Sequence, residues 1–312
     1  MRNRMVVILW LVCGVACVPR LTAEQLRSET TAAFDRYVEL SEQRMSQELG
    51  AGLFLRIESL PEAQRETAER RLKTGEVITD RLQTLDHGAP ISIPHGLVHH
   101  WRGTVFIPGA TLPQTVAFLQ DYDNQYKFYG PEVQRSKLLK RDGEHFQVFL
   151  RLRKKKVITV ILNTDYDVQY TLLGPDRAIS DSRSTRIAEV ENPGSPNEGE
   201  KPVGNDSGFL WRLNSYWRLL QRDGGVYVQV EAISLTRDIP AGLNWLISPF
   251  VTSIPKESLA FTLTHTREAL AGKKSQRYDV EGHGFSHAAI SVEIREAPMR
   301  RNCDRSVNGS CA

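Results

Sequence analysis

The stretch Phe209, Leu210, Trp211, Arg212, Leu213, Asn214, Ser215, Tyr216, Trp217, Arg218, Leu219 decides the reading of this chain. Its odd positions hold Phe, Trp, Leu, Ser, Trp and Leu, while Arg212, Asn214, Tyr216 and Arg218 fall on the even side. A period of two marks a half-buried strand, here with the odd face inward. Asp223-Gly224-Gly225 then supplies residues that tolerate positive φ, as a tight hairpin turn requires. Val226, Val228, Val230, Ala232 and Ser234 alternate along the return arm. A two-residue turn at Asp223-Gly224 pairs Leu219 with Val228, Trp217 with Val230 and Ser215 with Ala232, so the inner faces of both arms coincide. Small Ser215, Ala232 and Ser234 lie among large rings on that face. The surface is predicted to be hollow at its centre and to grip something.

The same alternation at residues 96–107 puts Leu97, His99, Trp101, Gly103, Val105 and Ile107 on one face, with Val98, His100, Arg102, Thr104 and Phe106 opposite. His99 and His100 therefore cannot ligate one metal ion, and no metal site is expected. Residues 111–122 read as a helix, and 133–140 with 145–152 as a hairpin across Asp142-Gly143. Residues 157–162, 167–172 and 177–190 read as further antiparallel strands. Residues 191–207, with Pro193, Pro196 and Pro202, read as a long mobile loop. Residues 251–271 form the last long helix, closed by Gly272. Leu259, Leu263 and Leu270 make one apolar stripe on it, and Ile254, Phe261 and His265 a second, so two sides of this helix are expected to be covered. At the other end of the chain, residues 24–49 make an amphipathic helix ended by Gly50 and expected to pack on the domain. A shorter helix starts from Ser59-x-x-Glu62 and ends near Gly75.

The chain has 312 residues, 40% hydrophobic and 25% charged, which is ordinary globular usage. Arg2, Arg4 and Arg20 account for the whole formal charge of +3, because residues 1–23 hold no acid. A neutral body excludes nucleic acid as the expected partner. Arg2 and Arg4 precede an apolar run over 5–18, shorter than the roughly 20 residues of a spanning helix, and small residues lead to Ala23. This reads as a secretory leader cut after Ala23, with export to the periplasm or exterior. Gly14-Val15-Ala16-Cys17 offers an alternative, a lipid anchor on Cys17. Cys303 and Cys311 in the polar tail are a candidate disulfide in an oxidising compartment.

A strand, a helix near Thr111, a run of antiparallel strands with hairpin turns and a long C-terminal helix follow one another over residues 91–271. This order, with the apolar faces of 96–107 and 209–219, resembles the START-like, or SRPBCC, superfamily. The resemblance implies an α+β helix-grip fold, a curved antiparallel sheet wrapped around the C-terminal helix with a cavity between them. A helical extension, 24–90, would precede that domain, 91–272, and a polar, loosely ordered tail, 273–312, would follow it. The resemblance also implies a site for a hydrophobic small molecule such as a lipid or quinone, with no cofactor. The candidate ligand-binding residues are His99, Trp101, Phe209, Trp211, Leu213, Ser215, Trp217, Val230, Ala232, Phe261 and His265.

Trp245, Leu246, Ile247 and Phe250 sit in a segment that Pro240, Gly242 and Pro249 keep out of regular pairing. That segment reads either as a gate making transient contact with a membrane or as a cover folded over core. Arg151, Arg153, Lys154, Lys155 and Lys156 make a basic strand end, either solvated or a patch for anionic headgroups. Two other functions stay open. A cyclase-type or hydrolase-type enzyme would use the same cavity with His99, His265 or Tyr227, although no inward carboxylate is identifiable. An interaction module would simply bury the tryptophans as core.

Overall fold

The computed structural model describes residues 24–156, 158–238 and 253–272, all within one unit. In chain order the helices are α1 (Ser28–Gly50), α2 (Glu62–Lys73), α3 (Leu112–Gln120), α4 (Gln125–Phe128) and α5 (Ile254–Ala271). The short strands are β1 (Glu24–Gln25), β2 (Ile78–Arg81), β3 (Leu85–Asp86), β4 (Ala89–Pro90), β10 (Gly199–Glu200) and β11 (Asn205–Asp206). The long ones are β5 (Gly96–Pro108), β6 (Val133–Asp142), β7 (His145–Lys155), β8 (Thr159–Leu172), β9 (Arg177–Glu191), β12 (Arg212–Arg222) and β13 (Gly225–Arg237).

Turn chemistry sets the register at the centre of the sheet. Asp223 and Gly224 both take positive φ, 58° and 72°, and Arg222 pairs with Gly225 across them. Leu219↔Val228, Trp217↔Val230 and Ser215↔Ala232 follow, as the sequence implies. The second hairpin turns at Gly143-Glu144, one residue later than expected, because Asp142 still pairs with His145. Residues 159–172 form one continuous strand rather than two runs. The nine-stranded sheet runs β2-β5-β13-β12-β9-β8-β7-β6, with β10 added on β9. All the pairings along it are antiparallel.

Helix α5 lies on the inner face of this sheet. A Cβ on Gly103 of β5 would stand 2.5 Å from Leu263 Cδ1 and 3.1 Å from Leu259 Cγ, so only glycine lets the helix seat this closely. Sheet and long terminal helix together form the expected helix-grip arrangement, and the class is α+β.

The outer face corrects one expectation. The even residues of β12 are not solvated; Asn214, Tyr216 and Arg218 are buried. Phe34, Tyr37, Val38 and Met45 of α1 pack on Tyr216, Ile233 and Leu235. Phe54, Leu55, Ile57, Ala68 and Leu72 pack on Phe106, Leu220 and Tyr227. Strands β5, β12 and β13 are thus covered on both sides, and alternation along them separates two cores rather than core from water. The 191–207 segment is likewise held down rather than loose. Glu198 takes both Nη atoms of Arg151, Arg186 pairs with Glu200, and Lys201 with Glu189.

Charge is buried beneath α1. The Thr84 N–H donates to Tyr37 Oη (2.9 Å), leaving the Tyr37 proton for His100 Nδ1 (3.0 Å), so His100 donates from Nε2 to Glu231 Oε1 (2.7 Å). Arg44 of α1 pairs with the same carboxylate, and Arg102 Nη1 lies 4.0 Å from its other oxygen. Glu231 is 3% exposed and anchors all three partners. Glu231→Gln is therefore expected to destabilise the protein by about 1.5–3 kcal/mol in urea unfolding at pH 7, since it removes the charge that His100, Arg44 and Arg102 share, while Arg44 keeps Glu48 and Arg102 keeps Asp80. A loss below about 1 kcal/mol would mean that the carboxylate does not hold α1 in place.

Candidate functional site

Between α5 and the sheet lies a cavity of about 300 Å³. Strand register explains why it is hollow. Trp101, Ala232, Ser215, Ser182 and Val168 stand side by side across β5, β13, β12, β9 and β8, so three adjacent small side chains form the floor. In the next row Trp217 is flanked by Val230 and Ser180. Phe209, Leu210 and Leu213 complete one wall, Leu150, Leu152, Val160 and Leu162 another, and Ile254, Leu259 and Phe261 of α5 the roof.

The sequence-predicted positions divide clearly. His99, Trp101, Phe209, Leu213, Ser215, Trp217, Val230, Ala232 and Phe261 line the cavity. Trp211 does not. It is 2% exposed in the outer core with Phe34 and Tyr37, and its Nε1 donates to Asp206 Oδ1 at 3.0 Å. The ladder begins only at Arg212, so the alternation that would aim Trp211 inward does not reach it. His265 does not line the cavity either: its ring stacks on Phe261 at 3.8 Å, and Nδ1 lies 2.9 Å from the Phe261 carbonyl. Trp245, Leu246, Ile247 and Phe250 lie outside the described residues, as do the leader, Cys17, Cys303 and Cys311.

Several lining groups escaped the sequence. Ser180 and Ser182 belong to a run with small residues at 178, 180, 182 and 184, a period-two signal that was available. Tyr122, Tyr129, Tyr166 and Tyr170 close one end of the cavity, each only 5–6% exposed. Tyr122 and Tyr170 share a hydroxyl hydrogen bond of 3.0 Å, and Tyr129 bonds Thr266 at 2.8 Å. Burial keeps these phenols protonated; that of Tyr170 is pushed up to about 12.

An inward carboxylate also exists. Glu132, just before β6, pairs inside the cavity lining with Lys154 at the end of β7. Burial pushes the Lys154 ammonium down from its ordinary range, against the charge of Glu132. Lys156 pairs with Glu257 of α5 at 2.6 Å, and Arg151 with Glu198 at 2.9 Å. Three of the five cations of the basic strand end, Arg151, Lys154 and Lys156, thus pair with acids.

His99 is the remaining titratable group in the lining. Thr236 Oγ1 donates its proton to the Arg237 carbonyl, so His99 Nε2 donates to Thr236 Oγ1 at 3.0 Å. Burial, helped by the charge of Arg81, lowers its pKa to about 4, and the ring is neutral at pH 7. Among the described residues there is no cluster of three or more metal-ligating side chains.

No family model matches the chain, and no curated protein does. Solved structures similar to it include a STAR-related lipid transfer protein from Xanthomonas axonopodis, with 18% identity, 61% of this chain and 98% of that one covered, and a TM-score of 0.40. Human STARD10 gives 11% identity, 69% and 84% coverage and a TM-score of 0.41. The Zhui aromatase/cyclase from Streptomyces sp. R1128 gives 13%, 58% and 97%, and 0.39. These are likenesses of fold.

A histidine whose folded pKa is depressed binds its proton in the unfolded chain first, so its contribution is full above pH 6.5 and is lost as pH falls towards about 4. His99 alone is expected to remove on the order of 2 kcal/mol between pH 6.5 and 5, with His100 acting in the same direction. Urea midpoints at pH 7, 6 and 5 check this, and His99→Gln should flatten the profile. A wild-type midpoint independent of pH over that range would contradict it.

Proposed function

We propose that the protein is an exported carrier that holds a hydrophobic small molecule in the cavity between sheet and α5. The observation that carries this reading is the size and character of the cavity. Protein interiors leave few voids larger than a water molecule. Left empty, 300 Å³ would cost on the order of 7 kcal/mol at the ~24 cal/mol per Å³ seen for engineered cavities. A chain that sets Ala232, Ser215 and Ser182 in one row keeps that space open instead of filling it. A fully packed interaction module has no use for such a row. Glu132 is neutralised by Lys154, and His99 commits its Nε2 proton to Thr236, which favours holding a ligand over acid-base chemistry. The volume lies at the small end of the range for ligand pockets, suiting a single-chain or small-ring ligand.

Export belongs to the same reading. It rests on Arg2 and Arg4 before the apolar run over 5–18 and on the small residues that lead to Ala23. Native mass spectrometry of protein purified without detergent tests both parts. The expected spectrum shows a chain beginning at Glu24 and an added mass of a few hundred daltons. Ala232→Phe, which puts a ring on the floor, should abolish the added mass while the chain stays folded by circular dichroism. No added mass in wild type, together with no uptake of apolar probes, would reject the carrier.

The segment carrying Trp245, Leu246, Ile247 and Phe250 is the proposed gate, opening on transient contact with a membrane surface, where its side chains find an apolar partner. Trp245→Ala should slow ligand exchange with phospholipid vesicles at least several-fold and lower the melting temperature by no more than a few degrees. Unchanged exchange with a large loss of stability would make Trp245 core instead.

A further inference from the structure

Resting on that reading, we infer that the cavity selects an amphiphile with an uncharged hydroxyl headgroup, seated on Lys154 and Glu132, with its chain directed at Tyr122 and Tyr170. The lining is polar in different ways at its two ends. The tyrosine end is sealed, and its Tyr122 and Tyr170 hydroxyls bond to each other. The Lys154–Glu132 end stays accessible, with side-chain exposures of 20% and 27%. Leu150 and Leu152 lead from it along β7 into the apolar middle.

The charge balance decides the headgroup. Lys154 has three protons and gives one to Glu132; the carboxylate retains a second oxygen. A hydroxyl accepts from Lys154 and donates to Glu132 without disturbing the pair. A carboxylate headgroup would face Glu132 in a weakly screened site, and an ammonium would face Lys154. The neighbouring Lys156–Glu257 pair is balanced too. The pair is not needed to hold β7 to the residue before β6, because the Arg153 N–H already bonds the Glu132 carbonyl at 2.7 Å. A pair built only for stability gains little over apolar side chains at the same place.

The test titrates delipidated full-length mature protein with dodecanol, dodecanoate and dodecyl methyl ether below their aggregation limits, read by the fluorescence of Trp101 and Trp217. Wild type is expected to bind dodecanol about tenfold or more tighter than either competitor, the gain of hydrogen bonds to charged groups. Glu132→Gln, which leaves Lys154 alone, should reverse the order of dodecanol and dodecanoate. Should that variant fold poorly, Lys154→Met with Glu132→Leu keeps the lining packed, and the preference for alcohol over ether should vanish. Equal wild-type affinity for dodecanol and dodecanoate would overturn the headgroup assignment alone, as would an alcohol preference that survives in the double variant. Failure of all three probes to bind would overturn the cavity reading with it.

Discussion

Helix α5 touches the sheet where β5 has no side chain. Gly103 lets Leu259 and Leu263 descend almost to the backbone, fixing the height of the helix above the strands. One row away, Trp101 is followed by Ala232, Ser215 and Ser182, and the same fixed height leaves a gap over these short side chains. A tight contact and a void thus sit side by side, both written by residue size at defined ladder positions. The cavity exists because the helix cannot sink further into it.

That arrangement needs a sheet that does not bend to close the gap. The outer layer supplies stiffness. Helices α1 and α2 cover β5, β12 and β13 from behind, and Glu231 gathers Arg44, His100 and Arg102 beneath them. Buried pairs of this kind bring little net stability over apolar packing, but breaking one is costly, so they fix how the layers dock. Arg218 does similar work, donating to the Phe54 carbonyl at 3.0 Å and pairing with Glu48 of α1. The N-terminal helices are thereby part of the unit that holds the cavity.

Polarity within the cavity is arranged by ends. Tyrosines with mutual hydrogen bonds seal one, and His99 with Thr236 and Lys154 with Glu132 mark the other, with aliphatic and small side chains between. Tyr122, Tyr170, His99, Lys154 and Glu132 each have a protein partner, so none of these groups depends on a ligand for its hydrogen bond.

By itself, the sequence determined what local chemistry can encode. Asp223-Gly224 set the hairpin register, and with it the pairing of Ser215 with Ala232. Alternation sorted residues 96–107 correctly onto two faces, and Gly50 and Gly272 marked helix ends. A turn and a period of two constrain neighbours in a ladder, and these residues are such neighbours. Tertiary structure alone decided what lies against each face. Tyr216 meets Glu42 from a helix 174 residues earlier, which no pattern within β12 reveals. Trp211 stands one residue before the ladder begins, and its ring packs with Phe34 and Tyr37 of α1 and donates to Asp206, neither of which the alternation within β12 announces. Glu132 and Lys154 stand on different segments and become a pair only when β6 folds back on β7. Periodicity says which side chains share a surface; the free energy that chooses the opposing surface comes from long-range burial, and that is spread over the whole chain.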